Sequence, residues 1–252
     1  MILGIFDSGL GGLTVLKEIL KGNIFDKIIY YGDTLRLPYG EKDRETLFEL
    51  ARNDISFLRS KGADEIVIAC GTVSTNVLDL IKEDYDFPLN GVVDVACKEA
   101  VRSTKNNKIG VIATPATVKT KVFTSKIQKY KKVEVYEIPC KEFTPLIEAG
   151  KIDSEEMRLA LSEYLFPLKE RGIDTLILGC THYPLIANEI SNYLGKQVKL
   201  INSGVLLARK INNGEKREPE IEFYVSGNTD DFKSKAKQII NIKEIDYVKN
   251  IW

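Results

Sequence analysis

Short runs of β-branched and aromatic residues alternate along this chain with longer amphipathic stretches. Runs such as EIVIAC (65–70) and TLILGC (175–180) are apolar at nearly every position, which is typical of parallel strands buried on both faces. The stretches between the runs have the apolar spacing of helices. This alternation predicts an α/β fold with mainly parallel sheets flanked by helices.

The predicted elements cover most of the chain. The predicted strands are residues 2–6, 27–32, 65–70, 90–93, 108–114, 132–138, 175–180, 198–202 and 220–226. The predicted helices are residues 11–21, 44–62, 72–84, 154–172, 182–195 and 230–241.

Two segments of the chain resemble each other. KGADEIVIACGT (61–72) and RGIDTLILGCTH (171–182) align without a gap, so that Cys70 matches Cys180. Upstream of them, GIFDSG (4–9) matches GVIATP (110–115). We therefore expect two similar, pseudo-symmetric lobes. Each lobe would place one cysteine at the carboxyl end of a strand, the edge where open α/β sheets bind ligands.

The lobe boundaries follow from the repeat and from the short segment after it. We expect residues 1–96 and 207–252 to form the first lobe and residues 97–206 to form the second. The segment after about residue 206 has one strand and one helical pattern, too little for a third domain. The active site would then lie in the cleft between the lobes.

Composition excludes several classes of protein. Lys and Arg together number 36, as do Asp and Glu, so no basic bias favours nucleic acid or an anionic membrane. The first residues lack the pattern of a signal peptide, and no segment approaches the ~18 apolar residues of a membrane span. We therefore expect a cytoplasmic protein. Its four cysteines form no C-x-x-C pair and should remain free in a reducing compartment.

Two cysteines on opposite sides of one cleft predict acid–base chemistry. Each follows a strand and precedes a helix, so we expect the helix dipole and amide groups to lower each thiol pKa below its usual value of about 8.5. Two such bases can remove a proton from one face of a carbon and return one to the other, without a cofactor or metal. A hydrolase with Cys180 and His182 as a dyad is an alternative, but it leaves Cys70 unused. As a metal ligand, His182 has only Cys180 nearby.

Polar residues after the strands suit a small substrate. The turn FDSGLGG (6–12) offers Asp7, Ser8 and amides at a helix N-terminus, although Asp7 could also be only a helix cap. The loop GDTLRLPYG (32–40) contains a turn whose backbone can approach a ligand. Hydroxyl groups and backbone amides together suit a zwitterion with two carboxylates. The hydroxyl residues after the strands are Thr72, Ser74, Thr114, Thr117 and Thr181.

Five motifs carry a resemblance to a known family. GIFDSGLGGLTVL, YYGDTLRLPYG, IACGTVS, GVIATPATV and LGCTHYPLI occur in this order between residue 4 and residue 186. Together they resemble the motif set of glutamate racemases, in the cofactor-independent aspartate/glutamate racemase superfamily. The resemblance extends over residues 1 to about 232.

The resemblance implies an isomerase that interconverts L- and D-glutamate for peptidoglycan and cell wall synthesis, and hence for cell shape. Cys70 would act on the D-enantiomer with support from Asp7, and Cys180 on the L-enantiomer with support from His182 and Glu148. The resemblance implies no cofactor and no metal. A homodimer is one possible assembly. The implied substrate contacts are Asp7, Ser8, Tyr39, Gly40, Thr72, Thr181 and His182, to which the strand-end pattern adds Gly71, Thr114 and Thr117.

One departure from the family pattern bears on function. The family motif Cys-Asn-Thr reads Cys70-Gly71-Thr72 here, so the side-chain amide of the asparagine is missing. We therefore expect the protein to racemise glutamate with a higher KM than a Gly71→Asn variant, which should gain mainly in kcat/KM because the amide would bind a substrate carboxylate. The departure leaves two alternatives: a racemase of aspartate or another amino acid, and a binding protein of low activity on a racemase scaffold.

Overall fold

Two parallel sheets form the framework of this protein. The computed structural model describes residues 1–251, and within them every strand pair is parallel. The strands are β1 (Ile2–Asp7), β2 (Lys27–Gly32), β3 (Glu65–Ile68), β4 (Leu89–Gly91), β5 (Lys108–Ala113), β6 (Glu134–Pro139), β7 (Thr175–Leu178), β8 (Lys199–Asn202), β9 (Glu220–Val225) and β10 (Lys249–Asn250).

Helices connect the strands, as the predicted α/β fold requires. They are α1 (Gly12–Leu20), α2 (Arg44–Ser60), α3 (Gly71–Asn76), α4 (Leu78–Ile81), α5 (Val93–Ser103), α6 (Pro115–Thr120), α7 (Val122–Tyr130), α8 (Phe143–Glu148), α9 (Glu155–Glu170), α10 (Ala187–Leu194), α11 (Ser203–Ile211) and α12 (Thr229–Ile239). Short 3₁₀ helices cover Thr34–Arg36, Tyr39–Glu41, Lys82–Asp84, Tyr183–Ile186 and Lys243–Tyr247.

The order of the strands confirms the internal repeat. The first sheet runs β10-β9-β2-β1-β3-β4, and the second runs β6-β5-β7-β8, which repeats the order of β2-β1-β3-β4. In the first sheet Phe6 pairs with Ile68, and in the second Ile112 pairs with Leu178. Ile68 of β3 and Leu178 of β7 each lie two positions before a cysteine of the repeat. The two cysteines therefore lie just after the carboxyl ends of equivalent strands.

The glycines of the repeat have a structural reason. Gly62 follows α2 with φ +90°, and Gly172 follows α9 with φ +65°, the left-handed region that ends many helices. After each glycine an aspartate caps the sheet. Asp64 accepts a hydrogen bond from the Ile2 N–H (2.8 Å), and Asp174 accepts one from the Lys105 N–H (2.7 Å). The repeated G-x-D pattern thus ends a helix and aligns the next strand.

The core links the two sheets. One cluster of buried side chains includes Leu3 and Ile5 of β1 together with Val111 of β5 and Ile177 of β7. Helix α5 packs against α11 as well as against β7 and β8 of the second sheet. The chain after residue 206 contributes β9 and β10 to the first sheet. We keep the lobe division 1–96 with 207–252 and 97–206 as a proposal, because α5 crosses it.

Several elements differ from the prediction. The predicted helix 72–84 is interrupted at Val77, whose φ of −132° is not helical, and continues as α4 and a 3₁₀ turn. Thr75 Oγ1 and Asn76 Nδ2 donate to backbone carbonyls of α3, a competition that favours short helices. Helices α5 to α8 and α11 and strand β10 were not predicted. None of the helices in residues 1–251 has the length and apolar character to cross a bilayer.

Candidate active site

The two strand ends open onto one cleft, as the repeat predicted. The cleft has a volume of about 280 Å³ and is lined from both lobes. It brings together most of the predicted site residues. The predicted residues that line it are Ser8, Tyr39, Gly40, Cys70, Gly71, Thr72, Thr114, Glu148, Cys180, Thr181 and His182.

Cys180 contacts the side chains of His182 and Thr144, and Glu148 in turn contacts His182. Its Sγ lies 3.6 Å from His182 Nδ1 and 3.7 Å from Thr144 Oγ1. His182 Nε2 lies 2.9 Å from Glu148 Oε1, so the ring is held between a sulfur and a carboxylate. The carboxylate accepts from Nε2, and this fixes the ring so that Nδ1 faces the thiol. The arrangement can stabilise a negative charge on the sulfur.

The charge of His182 follows from these contacts. Burial on its own lowers the pKa of this imidazole, but the hydrogen bonds with Cys180 and Glu148 and their negative charges outweigh it. The pKa of His182 therefore lies well above its usual value. The imidazole is protonated near neutral pH and places a positive charge beside Cys180.

Cys70 has a different environment. Its Sγ lies 3.8 Å from Ser8 Oγ, and only 4% of the residue is exposed. Burial, followed by the negative charge of Asp7, raises the pKa of this thiol to about 12. A hydrogen bond from the Val73 N–H at the start of α3 offsets only part of this increase. The expectation of a lowered pKa at both cysteines is therefore wrong for Cys70, which is a neutral thiol near neutral pH.

Asp7 lies behind the lining of the cleft rather than in it. The residue is fully buried; its Oδ1 accepts from the Gly9 N–H (2.9 Å), and its Oδ2 accepts from Thr181 Oγ1 (3.2 Å). Burial raises the pKa of Asp7, although the charge of His182 and these hydrogen bonds partly oppose this. Of its two predicted roles, the structure favours support over direct substrate contact.

A hydroxyl chain joins the lobes at the floor of the cleft. Thr72 Oγ1 of the first lobe lies 3.0 Å from Thr114 Oγ1 of the second, and Thr114 Oγ1 lies 3.1 Å from Thr117 Oγ1. Thr75 Oγ1 extends the chain to Thr117 at 3.3 Å. Thr117 is fully buried behind Thr114 and does not line the cleft, contrary to its predicted role as a substrate contact.

The glycine-rich turn contacts the other lobe at Gly11, although Ser8 of the same turn lines the cleft. A Cβ added at Gly11 would lie 2.3 Å from Thr181 Oγ1 and 2.6 Å from His182 Nδ1, so only glycine fits there. Thr14 Oγ1 of α1 donates to the Thr181 carbonyl at 2.8 Å. The expected anion site at this helix N-terminus is therefore occupied by the second lobe.

Gly71 is another point of close approach between the lobes. A Cβ added at Gly71 would lie 2.6 Å from the carbonyl oxygen of Gly179, closer than real Cβ atoms come to a neighbour. Gly71 directly follows one cysteine of the repeat, and Gly179 directly precedes the other. This contact between the two backbones therefore helps to set the separation of the thiols.

Sequence reasoning missed one wall of the cleft. Thr144, Pro145, Lys141 and Cys140 line it from α8 and the turn before it. Because α8 is a six-residue helix with a proline inside it, its apolar spacing is too short to indicate a helix from sequence.

All four cysteines are free, as predicted. No group of three or more His, Cys, Asp or Glu side chains within residues 1–251 could hold a metal ion.

Comparison with known proteins gives a consistent result. The family model described as Asp/Glu/Hydantoin racemase matches residues 34–211. A glutamate racemase of Lactococcus lactis subsp. lactis is 40% identical over 96% of this chain and 93% of its own. The crystal structure of a glutamate racemase isoform from Bacillus anthracis superposes with a TM-score of 0.93 and 29% identity, over 100% of this chain and 97% of that one.

A structure with a bound ligand is similar as well. The glutamate racemase of Francisella tularensis subsp. tularensis, solved in complex with D-glutamate, has a TM-score of 0.87 and 33% identity over 95% of this chain and 93% of its own. Fold, strand-end cysteines and sequence similarity agree. The chain belongs to the Asp/Glu/hydantoin racemase family.

Proposed function

We propose that this protein interconverts L- and D-glutamate without a cofactor, using Cys70 and Cys180 as the two acid–base groups. The observation that carries the proposal is the position of the two thiols at equivalent strand ends of two similar lobes, both lining one cleft. The glutamate racemases to which the chain is similar support the substrate.

The environments of the two thiols suggest how the reaction starts. His182 Nδ1, 3.6 Å from Cys180 Sγ, can stabilise the negative charge on that sulfur during proton removal, whereas burial and Asp7 keep Cys70 as a neutral thiol. The Cys180 thiolate would remove the α-proton of L-glutamate, and the Cys70 thiol would donate its proton to the opposite face of the same carbon. The product leaves with Cys180 protonated and Cys70 deprotonated. Exchange of both thiols with water restores the starting state.

The cleft has groups suited to a small dicarboxylic amino acid. Ser8, Thr72, Thr114 and Thr181 offer hydroxyl donors, and Lys141 adds a positive charge at its border. Hydrogen bonds to carboxylates are among the stronger ones in proteins. D-Glutamate made here would serve peptidoglycan synthesis. A cytoplasmic location and a homodimeric assembly stay predictions.

An assay of optical rotation on a panel of L- and D-amino acids tests the proposal. We expect purified protein, without any added cofactor, to bring either enantiomer of glutamate to a racemic mixture, and to act on aspartate far more slowly. Faster racemisation of aspartate would favour the alternative substrate. No racemisation of any amino acid would favour a binding protein on this scaffold.

A further inference from the structure

A buried acidic cluster lies behind the segment that lines one side of the cleft. Leu37, Pro38, Tyr39 and Gly40 line the cleft, but the Tyr39 side chain is only 1% exposed. Tyr39 Oη donates a hydrogen bond to Asp33 Oδ2 and lies 3.3 Å from Asp54 Oδ2. Tyr39 was predicted as a substrate contact, but its hydroxyl group contacts these two buried aspartates.

Hydrogen-bond partners divide unequally between the two aspartates. Asp33 Oδ1 accepts from Arg36 Nε (2.9 Å) and from Ser226 Oγ (2.7 Å), so a charged carboxylate is well satisfied there. Asp54 is 1% exposed, and its Oδ1 has no hydrogen-bond partner. An unpartnered buried carboxylate would be costly.

Counting hydrogens assigns the proton. Tyr39 has one phenolic hydrogen, and it is used in the bond to Asp33. The contact between Tyr39 Oη and Asp54 Oδ2 is then a hydrogen bond only if Asp54 is protonated and donates. In that state Asp33 and Arg36 balance each other in charge, and the neutral Asp54 tolerates an unpartnered oxygen more easily.

We propose that Asp54 is a positioning residue, which as a neutral carboxylic acid donates to Tyr39 and thereby holds the Leu37–Gly40 segment in place for substrate binding. The inference rests on the proposed function for its effect on catalysis. Gly40 abuts the second lobe, since a Cβ added to it would lie 3.0 Å from Thr114 Cβ. A shift of Tyr39 would therefore disturb both the wall of the cleft and its contact with Thr114.

The surroundings of Asp54 agree with a neutral acid. Burial, and then the negative charge of Asp33, raise the pKa of Asp54 well above its usual value, while Arg36 opposes this. Since the proton is retained in the folded protein, the positioning bond is present at low and neutral pH and is lost as pH rises through that raised pKa. The titratable groups that act on Asp54 or its partner Tyr39 are Asp7, Tyr31, Asp33, Arg36, Tyr39 and Cys70.

Two substitutions separate this role from a purely structural one. In Asp54→Asn the amide can still donate to Tyr39, so we expect KM for glutamate to stay within about threefold of wild type. In Asp54→Leu the donor is lost, and KM should rise about tenfold or more while kcat changes less, as expected for one hydrogen bond. Asn53→Leu, at an exposed position of the same helix, is the matched control and should leave KM unchanged.

The pH profile gives a second readout. KM of the wild type should rise on the alkaline side, and Asp54→Asn should lack the part of that rise due to Asp54. Hydrogen exchange of residues 34–42 should be faster in Asp54→Leu than in either Asp54→Asn or Asn53→Leu. This exchange measurement requires no activity, so it tests the inference even if the protein does not racemise glutamate.

The contrary results are equally specific. Impairment of Asp54→Asn to the extent of Asp54→Leu would overturn the inference, since it would mean that the charge of Asp54 is required. Unchanged exchange and unchanged KM in Asp54→Leu would also overturn it. If Asp54→Leu does not fold, the alkaline profile of Asp54→Asn decides: an unaltered rise in KM contradicts the proposal.

Discussion

Replacing either Cys70 or Cys180 with alanine is expected to abolish racemisation, with a loss greater than the ~10²–10⁴-fold typical for removal of one general acid or base. Each thiol serves one face of the α-carbon, and no other acid–base group replaces it there. Among the side chains of residues 1–251, Ser8 alone forms a hydrogen bond with Cys70, and His182 contacts Cys180 instead. Steady-state rates in both directions measure the effect.

A matched control is available in the same chain. Cys97 is fully buried in the core and does not line the cleft, so Cys97→Ala should keep racemisation within a few-fold of wild type. Circular dichroism and the melting temperature check that the cleft variants fold. Near-native turnover by folded Cys70→Ala or Cys180→Ala would show that the reaction does not use two thiols.

Introducing a side chain at residue 71 is expected to reduce kcat/KM. A cost of about 1–3 kcal/mol, typical of overpacking, would lower kcat/KM roughly 5- to 150-fold where it weakens the transition state, in which both thiols must reach one carbon. The space at Gly71 is closed by the carbonyl of Gly179, 2.6 Å from an added Cβ. The neighbouring atom belongs to the Gly179 backbone, which cannot move aside as the end of a flexible side chain would. The two lobes must therefore separate to accommodate the added Cβ. Separation would move Cys70 away from Cys180.

This expectation is the opposite of the one drawn from sequence. There the missing asparagine amide at residue 71 suggests that Gly71→Asn would improve kcat/KM. The comparison of Gly71→Ala with Gly71→Asn distinguishes the two ideas, because alanine adds the Cβ without the amide. If spacing dominates, both variants lose activity; if the amide dominates, only asparagine gains it.

Gly214→Ala is the control for a change from glycine. A Cβ added at Gly214 meets nothing closer than Ile24 at 3.5 Å, an ordinary contact, and the residue lies outside the cleft. It should leave kcat/KM unchanged. Activity at or above wild type in both Gly71 variants would contradict the view that this contact sets the separation of the thiols.

The repeat made much of the architecture predictable from sequence. Each copy of the repeat contains a helix-ending glycine, an aspartate that caps the sheet and a buried strand, and local rules fix all three. Two copies therefore imply two sheets with the same strand order and one cysteine at each equivalent edge. The ligand-binding edge of the sheets followed from their parallel strands.

Features that depend on contacts between lobes could not be predicted in this way. The glycine-rich turn has the sequence of an anion site, but Thr181 and His182 of the other lobe occupy the space in front of Gly11. Likewise, the sequence around Cys70 shows a helix N-terminus, which lowers a thiol pKa, but not the burial and the nearby Asp7 that raise it to about 12. Local pattern gives the elements, whereas desolvation is a property of the assembled cleft.

The fate of the α-hydrogen in heavy water tests the two-thiol account most directly. L-Glutamate is incubated with the protein, and both enantiomers are separated and analysed by mass spectrometry at the earliest time points. Because one thiol removes the proton and a different thiol, exchanged with solvent, returns one, the D-glutamate formed should carry deuterium at Cα while the remaining L-glutamate is still unlabelled. D-Glutamate that retains the original hydrogen would contradict the account and indicate a single base.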